Sequence, residues 1–184
     1  MTRPNYFVLT GAMGAGKSAV LERLRAAGQR CVDDPARQIL KEQRSIGGQG
    51  VPEVDAVLFN QLMLSRAIHV YVGNAQAPGA IVFDRGIPDL VAYAGLFGIS
   101  AAVYERAAAT YRYNATAFYF AGWREIYAVD DERKMDYESA GGFGENAARA
   151  YERLGYRTVE VPRIPLDERV RFILDVIGRA QPAS

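Results

Sequence analysis

One stretch carries the most specific chemistry in the sequence: FVLTGAMGAGKSAVLERL, residues 7–24, where a short apolar run leads into a helical pattern. Gly11, Gly14, Gly16, Lys17 and Ser18 spell GxxxxGK[ST], the Walker A pattern. Glycines there let successive backbone N–H groups turn inward around an anion, and the helix that follows presents the positive end of its dipole. Lys17 can bridge β- and γ-phosphates, and the Ser18 hydroxyl can ligate Mg²⁺. The whole run Gly11, Ala12, Met13, Gly14, Ala15, Gly16, Lys17, Ser18 and Ala19 is therefore the candidate nucleotide-binding segment. The plainer alternative, a glycine turn capped by a serine, does not require a lysine at that place.

A second motif, AIVFDRG, puts Asp84 at the C-terminal end of an apolar strand, where ligands gather in open α/β sheets. An acid in this Walker B position can organise the Mg²⁺ shell or take a proton from an attacking hydroxyl. It could instead cap the next helix, as could Asp89 in DRGIPD. Arg85 beside it has little use in a hydrolase that only positions water. It suits a kinase that holds an anionic or polar acceptor near the γ-phosphate. Other nucleotide-binding classes are disfavoured by what is missing: there is no NKxD guanine reader, and SIGGQG lies too far before Asp84 to serve as a transporter ATPase signature. The chain also reads as too small for a ring ATPase with a separate helical lid domain.

The elements that must position these residues follow from the pattern. Five short runs rich in β-branched and aromatic residues, at 6–10, 30–34, 80–84, 116–120 and 157–161, alternate with longer helical patterns. The helices are expected at 18–27, 35–43, 55–72, 88–97, 101–111, 140–154 and 165–177. Alternation of this kind means an α/β layer fold with a largely parallel sheet, and a single domain over residues 1–184 is expected. The loosest stretches, SIGGQGVPE at 45–53 and DDERKMDYESAGGFGEN at 130–146, are candidate mobile loops.

Charge and composition narrow the partners. The chain has 184 residues, with 22 basic side chains against 21 acidic ones, so the net charge of +1 makes no case for a nucleic-acid polymer or a membrane surface. One cysteine, Cys31, and one histidine, His69, leave no disulfide and no Cys or His metal cluster. No apolar run approaches the roughly 20 residues of a membrane helix. A cytoplasmic protein, monomer or homodimer, working on small molecules is the expectation.

TGAMGAGKSAVLERL, DPARQILKEQ, FDRGIPDLVAY, IYAVDDERKMDYESA and GYRTVEVPRIPLDERVRFIL, in that order, resemble the small P-loop proteins grouped as AAA_28-type ATPases or kinases. These are similar to the ribosylnicotinamide kinase domain and, more distantly, to thymidylate and cytidylate kinases. The resemblance implies a P-loop NTPase fold with a five-stranded parallel sheet and a small helical lid, here at about 123–146, that binds ATP and Mg²⁺. It implies an acceptor edge at Asp34 and Arg37, although family members usually carry Glu at the first position, Asp33 is a rival, and an N-cap with a surface ion pair is the plainer reading. Lid arginines would be Arg133 or Arg124, with Lys134 nearby; a solvated charged face is the alternative. Arg163 in VPRIP would stack on adenine or simply belong to a tight turn. Tyr93, with Phe59, Tyr111 and Tyr113, would line an acceptor pocket or pack in the core. His69 and Cys31 read as packing or surface residues. The resulting expectation is a kinase for a nucleoside-, nucleotide- or ribosyl-type acceptor, with an ATP hydrolase or a nucleotide switch as its rivals.

Overall fold

The computed structural model describes residues 1–127 and 136–180. Five strands, β1 (Tyr6–Gly11), β2 (Arg30–Val32), β3 (Ile81–Asp84), β4 (Thr116–Phe120) and β5 (Arg157–Glu160), form one sheet in the order β2-β3-β1-β4-β5. Every pairing among them is parallel. The helices are α1 (Lys17–Ala26), α2 (Ala36–Ser45), α3 (Ala56–Gly73), α4 (Asp89–Leu96), α5 (Ala102–Thr110), α6 (Tyr137–Arg153) and α7 (Leu166–Ala180), with a 3₁₀ turn at Arg124–Ile126.

The burial of each strand follows from its place. YFVLTG and IVFD are buried at every position because they lie inside the sheet with helices on both faces. The edge strands RCV and RTVE are only partly covered. Alternate side chains of β1 divide the core. Tyr6 and Val8 join Phe59, Tyr71, Tyr113, Phe143 and Tyr151 on one face, while Phe7 and Leu9 join Val20, Leu24, Phe118 and Ile173 on the other. The first face is thus closed by α2–α6 and the second by α1 and α7. On the first, the Tyr71 ring meets Tyr6, Tyr111 and Tyr113 edge-on, at centroid separations of 5.1, 5.4 and 5.2 Å.

Register then assembles the motifs. Leu9 lies opposite Asp84, Gly11 opposite Phe120 and Val32 opposite Phe83, so the loops after β1, β2 and β3 leave from one edge of the sheet. The chain turns to opposite sides of β1 at that edge, which is where open α/β sheets hold their ligands.

Two stretches depart from the expectation of looseness. SIGGQG is tied back on α2, since Gly48 N–H donates to Gln43 O at 2.8 Å and Gly50 N–H to Gln43 Oε1 at 3.0 Å. Val51 is buried beyond it. The helix expected from residue 140 begins at Tyr137, because the Asp136 carboxylate accepts from Ser139 N–H at 2.8 Å and caps it there. Residues 137–146 of the expected lid are therefore the first part of α6, where Ala140, Phe143 and Gly144 are buried. Residues 128–135 lie outside the described residues. No helix among those described is long and apolar enough to cross a membrane.

Gly144 is where α6 touches the Walker loop: a Cβ there would stand 2.5 Å from Ala12 N and 2.7 Å from Ala12 Cα. At Gly142, one turn-fraction away, a Cβ would meet nothing within 4 Å. Gly144→Ala is expected to destabilise the fold by about 1–3 kcal/mol through overpacking, whereas Gly142→Ala should stabilise it by about 0.5–1 kcal/mol. Urea unfolding of both variants checks the contrast; equal effects would mean that α6 does not abut the loop.

Candidate active site

The Walker segment leaves β1 through Gly11, whose φ of +116° and whose contact with the Phe120 carbonyl leave no room for a side chain. Ala12 N–H continues the ladder by donating to Phe120 O at 2.9 Å. Ala12 and Ala15 are buried beneath the loop, Met13 packs on the core, and Ser18 and Ala19 are exposed on the first turn of α1. Lys17 is 7% exposed and donates from Nζ to Ala12 O at 2.5 Å and Gly11 O at 3.4 Å. Burial, reinforced by the nearby Arg85 charge, brings its ammonium down to about 7, against the pull of Asp84, Asp89 and Asp34.

Asp84 ends β3 with its carboxylate buried, and its Oδ1 has no hydrogen-bond partner among the described residues. Burial raises its pKa, while Lys17 and Arg85 oppose the rise. Arg85 follows in a left-handed conformation, φ +64°, unusual for a residue with a side chain. Its guanidinium is buried and held from several sides: Nη1 donates to Asp89 Oδ1 at 2.9 Å and to Gly11 O at 3.3 Å, and Nε lies 3.4 Å from Asp34 Oδ2. The Phe143 and Tyr93 rings flank it, with centroids 5.1 and 5.7 Å away.

Asp89 organises this group and is fully buried. Its Oδ1 also accepts from Thr10 Oγ1 at 2.7 Å, and its Oδ2 accepts from Gly86 N–H at 2.9 Å and Tyr151 Oη at 2.8 Å. Asp34 has two roles at once. Its Oδ1 accepts from Ala36 N–H at 2.9 Å, at the start of α2, and its Oδ2 faces Arg85. Burial pushes the Asp34 carboxyl upward, with Arg85 pulling the other way.

Of the residues singled out in the sequence, Lys17, Asp84, Arg85, Asp34 and Tyr93 come together. Tyr93 is buried, stacked on Phe97 at 5.8 Å and tilted against Phe143 at 4.7 Å. Phe59 and Tyr113 belong to the same core. Asp33, the rival of Asp34, points elsewhere and pairs with Arg25 at 2.8 Å. Arg37 is exposed on α2 and Arg163 is exposed between β5 and α7. Arg124 is exposed in the 3₁₀ turn, its guanidinium 4.8 Å from the Tyr137 ring centroid. Arg133 and Lys134 lie outside the described residues, and His69 is exposed on α3. Sequence reasoning treated Asp89 only as a possible helix cap and passed over Thr10, Phe143, Tyr151 and Arg169. The spacing of Arg85 and Asp89, four apart, was the available signal for the first; the others had none.

Among the described residues no three His, Cys, Asp or Glu side chains form a metal cluster. Mg²⁺ does not need one, since it binds through one or two protein ligands, water and substrate phosphates. The orphaned Asp84 Oδ1 and the exposed Ser18 hydroxyl fit that donor set. Beside Arg85, a cavity of about 20 Å³ is lined by Asp34, Pro35, Met63, Arg85, Leu90 and Tyr93, room for about one water molecule. A larger groove of about 330 Å³ between α1 and α7, lined by Arg23, Ala27, Asp167 and Leu174, shares no residue with this site.

An AAA domain family, AAA_28, matches residues 6–169. No curated protein sequence matches the chain. Among solved structures, the NadR protein in complex with NR superposes with a TM-score of 0.67 at 14% identity, covering 97% of this chain and 51% of that one. This chain thus spans about half the length of NadR. Deoxyadenosine kinase from M. mycoides, with products dCMP and dCDP bound, gives a TM-score of 0.63 at 16% identity, covering 95% and 99% of the two chains. Thymidylate kinase from Ehrlichia chaffeensis gives 0.63 at 16% identity, covering 94% and 97%. The fold is that of the P-loop nucleotide kinases.

The buried lysine makes a pH test possible. Unfolded, Lys17 titrates near 10.5, and folded near 7, so between these values the unfolded chain binds the extra proton. Stability from this group is therefore gained as pH rises through that window, by up to about 1.4 kcal/mol per pH unit. Urea midpoints from pH 7 to 9.5 should climb for the wild type relative to Lys17→Met. Parallel profiles would show that Lys17 keeps its proton when folded.

Proposed function

The chain belongs to the AAA_28 family of P-loop proteins, and from that premise we propose that it is a phosphotransferase, moving the γ-phosphoryl of Mg·ATP to a small acceptor of nucleoside, nucleotide or ribosyl type. The observation that carries this is Arg85: a buried guanidinium directly after the Asp84 carboxylate, between Asp34 and the Walker loop. Water can be positioned without such a cation, whereas a guanidinium is matched to a phosphate-bearing acceptor and can also donate to sugar hydroxyls. NadR solved with NAD and AMP-PNP, and the deoxyadenosine kinase with its nucleotide products, support the same class of ligands.

Each residue then has a task. The backbone from Gly11 to Ser18 cradles the phosphates, and Lys17, once polyphosphate oxygens replace the loop carbonyls it now touches, holds its charge and bridges them. Ser18 and Asp84 would hold Mg²⁺, which supplies charge neutralisation on the phosphoryl oxygens. Asp84 also stands ready to accept the acceptor's hydroxyl proton, and a carboxylate whose pKa is raised by burial is a better base for it. Asp34 and Tyr93 form the acceptor edge with Arg85, and Arg37 would reach it from the exposed face of α2. Arg163 would face the adenine, and residues from 123, with Arg124 and Arg133, would act as the lid that shields the phosphoryl group from water.

One observation favours the rival, an ATP hydrolase without a small acceptor. The Arg85 charge is already met by Asp34 and Asp89, and the adjoining cavity has room for about one water. Measuring ADP production with Mg·ATP alone, and then with panels of nucleosides, nucleoside monophosphates and ribosyl compounds, separates the two. Turnover that only an acceptor stimulates, with phosphorylated acceptor detected, is expected; brisk acceptor-free turnover that none of them changes would mean a hydrolase.

Asp84→Asn keeps the shape and removes the charge. ATP should still bind through the loop, while transfer falls by roughly 10²-fold or more. Single-turnover transfer alongside equilibrium binding is the check. A variant that loses binding and transfer in equal measure would make Asp84 a ground-state ligand instead of a base.

A further inference from the structure

Arg169 lies in the first turns of α7 and is 7% exposed. Its buried Nε and Nη1 have no hydrogen-bond partner among the described residues. It differs in this from Arg85, which is as deeply buried but meets two carboxylates and a carbonyl. Arg169 instead lays its guanidinium against the Trp123 ring, 5.1 Å from the centroid. Desolvation accordingly weakens its hold on its proton. A guanidinium withdrawn from water with Nε and Nη1 unpaired is costly, and a complementary anion would offset that cost.

The place of those donors identifies the anion. Nη1 stands 2.7 Å from where a Cβ on Gly16 would be, and Ile126 Cδ1 stands 3.1 Å from the same point. Gly16 is the N-cap of α1, in the left-handed conformation with φ +84°, and its side carries no atoms to separate Arg169 from the loop. Three segments meet there: the end of the phosphate loop, the exit from β4 at Trp123, and the start of α7. The backbone N–H groups of this loop and helix cradle the α- and β-phosphates of a bound nucleotide, so a guanidinium abutting Gly16 comes within reach of the same oxygens.

We propose that Arg169 is a nucleotide-phosphate ligand, donating from Nη1, with Nη2 beside it completing an end-on fork, to non-bridging oxygens of the α- or β-phosphate, while Trp123 holds the plane of the guanidinium. The proposal rests on the nucleotide-binding reading of the Walker loop. It adds a cation from the far end of the chain to a cradle otherwise built from one short segment, and it makes closure of α7 on α1 part of nucleotide recognition. Planar, two-pronged phosphate binding is a task for arginine, which lysine performs poorly.

The test uses titration calorimetry on the whole chain with Mg·ADP, Mg·ATP, inorganic tripolyphosphate and adenosine, together with the Tm of each free protein. Arg169→Met keeps the aliphatic stem and removes the donors, and Arg169→Lys keeps the charge and removes the fork. ADP and ATP affinity should fall roughly 10- to 100-fold in the first, with a smaller fall in the second. Tripolyphosphate should weaken in parallel and adenosine should not change. The Tm of the free Met variant should equal or exceed that of the wild type, since a buried unpaired charge has gone. Unchanged nucleotide affinity in both variants would overturn the proposal, as would a drop in Tm with affinity intact, which would make Arg169 a prop for Trp123. If the Met variant does not fold, the Lys variant decides alone by the same affinity criterion. Wild-type protein that binds no nucleotide at all would sink the proposal and the Walker-loop reading together, whereas wild-type binding that Arg169→Met leaves untouched would sink only the proposal.

Discussion

The carboxylate of Asp89 is the point on which the site hangs. It receives Thr10 from β1, Arg85 and the Gly86 backbone from the turn after β3, and Tyr151 from α6. One buried side chain thus fixes two neighbouring strands and the helix above them, and the four donors offset the desolvation of its charge. Arg85 depends on it directly. A left-handed backbone at a non-glycine residue persists only where its surroundings over-determine it, and here they do, through Asp89, Asp34, Gly11 O and two aromatic rings.

The electrostatics of the sheet edge follow from that anchoring. Two cations, Lys17 and Arg85, share a poorly solvated space with Asp34, Asp84 and Asp89. Arg85 keeps its charge because acids surround it, and Lys17, which contacts only carbonyls, bears the repulsion and the desolvation. Asp84 stands between them with an oxygen unused. Under the proposed function, an arriving polyanion and cation would each satisfy a group that the protein leaves unsatisfied, without moving the Asp89 anchor.

The same physics makes transfer and hydrolysis close alternatives under the proposed function. Both need the loop, Lys17 and Asp84, and they differ in whether the space beside Arg85 admits something larger than water. That space is bounded by Pro35 and Met63 as well as by charged groups, so under that proposal admission would depend on how α2 and α3 sit on the sheet.

The alternation of strands and helices, the Walker loop and the acid at the end of the third strand were all legible in the sequence, because each rests on local physics. Apolar runs of strand length, a glycine and lysine pattern of fixed spacing, and a strand-terminal Asp need no knowledge of distant residues. The start of α6 was misplaced by three residues because its cap, Asp136, sits in a run of charges that hides it. What tertiary structure alone decided is pairing across the chain. Whether Asp33 or Asp34 faces the site is decided just past the end of β2, where Asp33 pairs with Arg25 and Asp34 with Arg85 and the Ala36 N–H. Whether Asp89 caps a helix or anchors an arginine depends on Thr10 and Tyr151, 79 and 62 residues away. Arg169 and Arg171 look alike in LDERVRF, yet one is buried against the phosphate loop and the other is exposed, because only the packing of α7 on α1 determines which side of the helix meets Gly16.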